Sequence, residues 1–151
     1  MTERLNYYQA SPEAIAAMRR LEEETQKLSI PHDLRELVKM RVSQINGCAF
    51  CLDMHAPDAR AAGISQQKLD VLAAWPESPV FDRRERAALG WADALTRLES
   101  SGAPDAAYEA LLAAFTPRES VDLTLVINAI NAWNRFAVGF RSAHPLRKDA
   151  A

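Results

Sequence analysis

Much of what would mark a chain as exported, membrane-bound or nucleic-acid-binding is missing from this one. Cysteine is scarce: there are only two, where a small secreted domain usually carries several bridges. The opening residues, MTERLNYYQASPEA, hold no basic segment followed by an apolar core, so no signal peptide is expected. No apolar run approaches the roughly 18 residues that a bilayer span needs. Charge of one sign is lacking too. Eighteen basic residues against 20 acidic ones leave a net charge of -2, and no lysine or arginine block forms a nucleic-acid stripe. Neither G-x-G-x-x-G nor G-x-x-x-x-G-K occurs, so no bound nicotinamide, flavin or nucleotide is expected. The expectation is a cytoplasmic protein that engages neither nucleic acid nor membrane.

Strand signals are almost as scarce, and there is no internal repeat or low-complexity tract. What is present is an ordinary globular composition, 48% hydrophobic and 25% charged, in 151 residues. That is enough for one core and short for two, so residues 1–151 are read as one domain, with the informative motif at about 31–63. Helix signals recur along it. Ser11-Pro12-Glu13 reads as an N-cap, a first-position proline and a first-turn acid, followed by Ile15, Met18 and Leu21 on one face to near Ser29. Pro31 opens a second helix carrying Leu34, Leu37, Val38, Val42 and Ile45, stopped by Asn46-Gly47. A third runs from about Cys48 to Ala62 and is closed by Gly63; Ser65 caps a fourth, to Trp75. Pro76-Glu77-Ser78-Pro79 reads as a connecting loop. Asp82 with Glu85, and Thr116 with Glu119, form capping-box patterns for helices reaching about Ser101 and Arg141, with a short helix from Pro104 to Phe115 between them. The predicted fold is an all-α bundle of six or seven helices. Its last helix is apolar nearly all round, which points to burial and to contacts between subunits.

The chemistry concentrates between Glu36 and His55. In a helix from Cys48, the two cysteines are i and i+3, and Cys51 and His55 are i and i+4, so all three side chains share a face. Asn46-Gly47 places the cysteines at a helix start, where free N–H groups and the positive dipole end favour a thiolate. One turn on, His55 can accept the proton of Cys51 as a general base. Its other ring nitrogen then needs an orienting partner. Glu36 lies about 15 Å back along its helix from Asn46, and His55 about 10 Å into the next. An antiparallel return across the Asn46-Gly47 turn would bring them together, directly or through water. Such a set supports one reaction well. One thiolate attacks an oxidant such as a hydroperoxide and becomes a sulfenic acid; the neighbouring thiol condenses with it to a disulfide. An external dithiol reduces that disulfide by exchange.

The pattern Glu36 then Cys48-x-x-Cys51-x-x-x-His55, within R-V-S-Q-I-N-G-C-A-F-C-x-x-M-H, resembles the AhpD-like alkylhydroperoxidase branch of the carboxymuconolactone decarboxylase family. The stretch from Ile130 to Phe136 is similar to that family's late helix. The resemblance implies an all-helical fold and assembly into homotrimers or hexamers. It also implies that Cys51 is the peroxide-attacking thiol and Cys48 the resolving one, with Glu36 and His55 relaying protons. Reduction would come from lipoyl-type dithiols, in some members with a partnering peroxiredoxin, and no bound cofactor or metal would be needed. One position departs from the pattern. That subgroup often has a second histidine before the later cysteine, and this chain has Phe50.

Rival readings attach to the same residues. Cys48, Cys51, His55 and Glu36 could form a zinc set, though three ligands crowded on one helix suit a closed structural site poorly. A lactone decarboxylase would be a non-redox relative, with no use for two adjacent thiols. A redox sensor would oxidise once and slowly. Elsewhere, His32 reads as a surface residue and His144 as part of a C-terminal tail. Arg41, Ser43 and Gln44 read either as pocket-lining or as helix-surface groups. Trp75, Trp91, Trp133, Phe136 and Phe140 read as core or subunit contacts.

Overall fold

Prolines, glycines and short polar caps set the helix boundaries in the computed structural model, which describes residues 2–146. Both ends of the 1–151 span lie outside the described residues. A single turn, α1 (Tyr7–Ala10), is capped by the Asn6 side chain, which accepts the Gln9 N–H at 3.2 Å. Helix α2 (Pro12–Gln26) starts on Pro12, although Ser11 makes no side-chain cap bond. Pro31 precedes α3 (His32–Ile45), and Gly47, at φ 64°, turns the chain into α4 (Ala49–Ala61). That left-handed conformation strains any residue with a Cβ. Ser65 caps α5 (Gln66–Val71) by accepting the Lys68 N–H. The two expected capping boxes are both present, at α6 (Arg83–Thr96) and α9 (Pro117–Phe140). Between these lie α7 (Leu98–Ser101) and α8 (Asp105–Leu112).

The all-α class is as expected, and the helix count is higher. Among the described residues there are nine α-helices and one 3-10 helix, Leu72–Glu77. The extra pieces arise from local breaks. The segment from Ser65 kinks at Ala74 (φ -112°, ψ 27°) and winds on through Pro76 and Glu77, so these residues are helical and not part of a loop. The helix expected to reach Ser101 breaks at Arg97 (φ -103°, ψ 37°) into α6 and α7. The turn α1 carries no apolar periodicity for a sequence reading to detect.

Helix α3 is the centre of the bundle, with α4, α6 and α9 packed around it. Leu37, Val38 and Val42 of α3 meet Ala88, Leu89 and Ala92 of α6 and Leu123, Val126, Ile127 and Ile130 of α9, all fully buried. Such burial is the main stabilising term, about 1.5–3 kcal/mol for each large side chain. Helix α9 is not buried on every side of the single chain: Val121 is 69% and Val138 45% exposed. Helix α2 leans on α9 and not closely on α3, which leaves space between α2 and α3. Among the described residues, no helix is long and apolar enough to cross a membrane.

Candidate active site

The Asn46-Gly47 turn places Cys48 as the N-cap of α4 and Cys51 in its first turn. The two are joined as a disulfide, with Cα atoms 5.3 Å apart. The Cys51 N–H donates to Cys48 Sγ at 3.3 Å. A helix-start N–H aimed at that sulfur favours negative charge on it. Phe50 and Ala137 of α9 cover the pair, and both cysteines are buried.

One turn along α4, buried His55 holds its Nδ1 2.9 Å from Glu36 Oε2 on α3. An ionised carboxylate only accepts, so Nδ1 carries the hydrogen of this bond, and in the neutral ring Nε2 is the nitrogen with the lone pair. The contact is direct, with no need of a bridging water. Burial pushes the Glu36 carboxyl up, but the hydrogen bond from His55 and the charge of Lys39 outweigh it and hold the group below its ordinary value. Lys39 was not anticipated from the sequence. Its Nζ, itself buried, lies 3.1 Å from Glu36 Oε1 and 2.7 Å from Glu22 Oε1. The i, i+3 spacing from Glu36 was the available signal. Glu22, from α2, carried none. His32, expected at the surface, does expose its side chain, yet its Nε2 approaches Glu36 Oε1 to 3.9 Å.

These groups open onto a cavity of about 590 Å³ between α1, α2, α3, α4 and α9. Cys51, His55, Glu36 and Lys39 form part of its polar wall, while Tyr7, Phe50, Met54 and Trp133 supply apolar surface. Cys51 faces this space and Cys48 does not. Trp133 therefore lines the cavity as well as packing against the core.

The remaining candidates lie elsewhere. Arg41, Ser43 and Gln44 do not line the cavity; the first two are buried and Gln44 is half-buried. Buried Arg41 grips Asp93 with Nε and Nη2, at 2.6 and 2.7 Å. Buried Ser43 accepts from Asn134 Nδ2 at 3.1 Å, and Gln44 Oε1 is buried without a partner among the described residues. Asn46 Nδ2 donates to both Asn131 Oδ1 and Asn134 Oδ1, at 2.9 Å. This ties the cysteine turn to the late helix. His144 is exposed and does not line the cavity. For a cation, the structure assembles Glu36, His55 and Asp58, whose ligand atoms lie within 4.8 Å of one another. The two sulfurs, which the sequence set included, are bonded to each other.

A buried C-x-x-C disulfide at a helix start, one sulfur facing a cavity beside a Glu-His pair, within an all-helical bundle, defines the class: an AhpD-like protein. The sequence profile of the carboxymuconolactone decarboxylase family matches residues 10–94, and the chain belongs to that family, in its AhpD-like branch. An uncharacterized relative, YdfG of Bacillus subtilis, is 42% identical over 145 residues, covering 95% of this chain and 99% of its own. ATU0492 of Agrobacterium tumefaciens is a protein of unknown function with a provisional assignment to antioxidant defence as AhpD. Its crystal structure superposes with a TM-score of 0.94 at 49% identity, over 97% of this chain and 100% of that one. The debrominase Bmp8 shares the fold alone, with a TM-score of 0.81 at 19% identity over 91% and 74% of the two chains.

Proposed function

We propose that this protein is a thiol-dependent peroxidase that reduces organic hydroperoxides through Cys51 and Cys48. The observation that carries the reading is Cys51 facing a cavity beside His55, whose far nitrogen is held by buried Glu36 at 2.9 Å. In the reduced enzyme His55 Nε2 takes the Cys51 thiol proton, and the Glu36 carboxylate stabilises the imidazolium that forms. The Cys51 thiolate attacks the outer peroxide oxygen. The S–O bond forms as the O–O bond breaks, leaving Cys51 sulfenic acid and an alkoxide that takes the proton from His55. The Cys48 thiol then displaces hydroxide from Cys51, which leaves as water with the Cys48 proton, and the disulfide forms. An external dithiol, of lipoyl type or delivered with a peroxiredoxin, attacks Cys51 from the cavity. Cys48 leaves as a thiolate that the Cys51 N–H stabilises, and the second thiol of the dithiol then closes on the first, releasing Cys51 and the oxidised dithiol.

Phe50 in place of the subgroup's histidine leaves His55 as the base at this end of the cavity. The reading extends to a cytoplasmic homotrimer or hexamer, supported by the exposed apolar residues Val121 and Val138 on α9. The test is to mix reduced, metal-free protein with an equimolar organic hydroperoxide and follow free thiols and intact mass. Both thiols should vanish with a mass loss of two hydrogens, and dihydrolipoamide should restore them. The Cys51→Ser variant should consume peroxide at least about a thousandfold more slowly. Thiols that persist, or full activity in Cys51→Ser, would sink the reading.

A further inference from the structure

Two cations in the cavity wall take no part in the proton relay. Arg19 of α2 and Arg35 of α3 both line the cavity, and neither pairs with a carboxylate among the described residues. Lys39 is different, since its charge is shared between Glu22 and Glu36. Arg19 rests over the Tyr8 ring, 5.9 Å from its centroid. Arg35 donates one bond, from Nη1 to the Ile30 carbonyl at 2.7 Å, and its Nε is buried without an acceptor. A buried donor without a partner is costly in a protein that can rearrange to satisfy it.

The molecule itself supplies the comparison. Arg41 engages Asp93 through the edge formed by Nε and Nη2. On Arg35, Nε is sealed from the cavity without an acceptor, while Nη2 is not sealed off and has no acceptor among the described residues. A charged guanidinium N–H without a protein acceptor donates a charge-assisted bond to a carboxylate oxygen. Asp58 of α4, which also lines the cavity, comes within 4.8 Å of the His55 and Glu36 ligand atoms and repels an anion there. The acidic end of a ligand is thereby directed to Arg35 and kept from His55. Tyr7, Phe50, Met54 and Trp133 offer apolar surface in the same cavity.

We propose that the cavity binds an amphipathic carboxylic acid, with its carboxylate on Arg35, Arg19 as a second cation, and its apolar body towards Cys51. Resting on the peroxidase reading, the oxidant is then an organic hydroperoxide that also carries a carboxylate. The hydroperoxide and two thiols become an alcohol, water and the Cys48–Cys51 disulfide, and the carboxylate is unchanged.

Two independent measurements test this. Calorimetry on the oxidised protein compares octanoate with 1-octanol, neither of which can react. Octanoate should bind at least about tenfold more tightly, and Arg35→Gln should abolish most of that preference while moving octanol by less than about twofold. Stopped-flow thiol loss in the reduced protein, without dithiol, compares a fatty-acid hydroperoxide with its methyl ester. The free acid should react at least about tenfold faster, with the advantage reduced by Arg35→Gln and by Arg19→Gln. The wild-type comparisons stand even if a variant fails to fold. Equal affinity for octanoate and octanol, or an Arg35→Gln effect equal on both, overturns the proposal. Octanoate binding without thiol loss from any hydroperoxide supports the acid site and removes the peroxidase reading. A preference found only between dihydrolipoate and dihydrolipoamide gives the site to the reductant and overturns the substrate assignment.

Discussion

Helix α3 carries two buried ionic clusters that differ in their chemical freedom. On one side Arg41 and Asp93 form a two-pronged pair, with Asp93 also receiving Arg97 at 3.2 Å and the Trp75 Nε1–H at 3.4 Å. On the other, Glu36 divides its two oxygens between His55 and Lys39, and Lys39 reaches on to Glu22. Both clusters put opposite charges together away from water, where unpaired charge is costly. Only the second opens onto the cavity. The Arg41 pair has both its hydrogen-bonding edges committed and joins α3 to α6. The Glu36 cluster contains a histidine with one nitrogen engaged and the other able to exchange a proton. Burial of charge on the same helix therefore serves cohesion in one place and is suited to proton movement in the other. What separates them is access and a titratable partner.

Substitutions can sharpen or break this contrast. The largest expected effect is from His55→Ala, which should slow thiol oxidation by peroxide by about 10²–10⁴-fold, the usual contribution of a positioned general base. Its subunit assembly and thermal unfolding should change little. Unaltered kinetics would remove His55 from the relay and dissolve the contrast. Next comes Arg41→Met, which leaves the Asp93 carboxylate, side chain 22% exposed, with only Arg97 and the long Trp75 Nε1–H contact among the described residues. It should cost about 3 kcal/mol in denaturant unfolding, with peroxide rate per folded molecule within about twofold of wild type. A large rate loss at full stability would mean that the Arg41 cluster is not purely cohesive.

Lys39→Met should have the smallest effect at neutral pH and the most informative one in acid. Glu36 is held below its ordinary value of 4.5. Its ionised form therefore supports folding and the relay above that pH, and this support is lost as pH falls through the lower folded value. Without the Lys39 charge the Glu36 carboxyl rises, so the acid limb of the pH–rate profile should shift to higher pH. A uniform loss at every pH, with no shift of the limb, would make Lys39 a packing residue only.

The route by which each cluster could be found differs in the same way. Glu36, Cys48, Cys51 and His55 were legible because helical periodicity and a turn at Asn46-Gly47 put them in register. The return across that turn needed only helix geometry. Lys39 had a local cue, its position one turn after Glu36, but nothing local separates a buried lysine from a solvated one. Arg41 was legible only as an ambiguous helix residue, because Asp93 lies 52 positions away. The Asn46–Asn131–Asn134 network was invisible for the same reason, as it joins groups 85 and 88 positions apart. The breaks at Ala74 and Arg97 also escaped, since packing overrides modest local preference there.

Residues close in sequence sufficed to define the helix boundaries at Pro12, Pro31, Gly47 and Gly63, the all-α class, and a cysteine pair one turn before a histidine. Those features follow from φ/ψ restrictions and a repeat of 3.6 residues per turn, which act over a few positions. The packing of distant helices assigned Cys51 to a cavity and Cys48 to the covered side, joined α2 to the Glu36 cluster through Glu22, and left Arg35 without an acid among the described residues. No local rule carries that information, because burial and charge pairing depend on which surfaces meet when the whole chain has closed around α3.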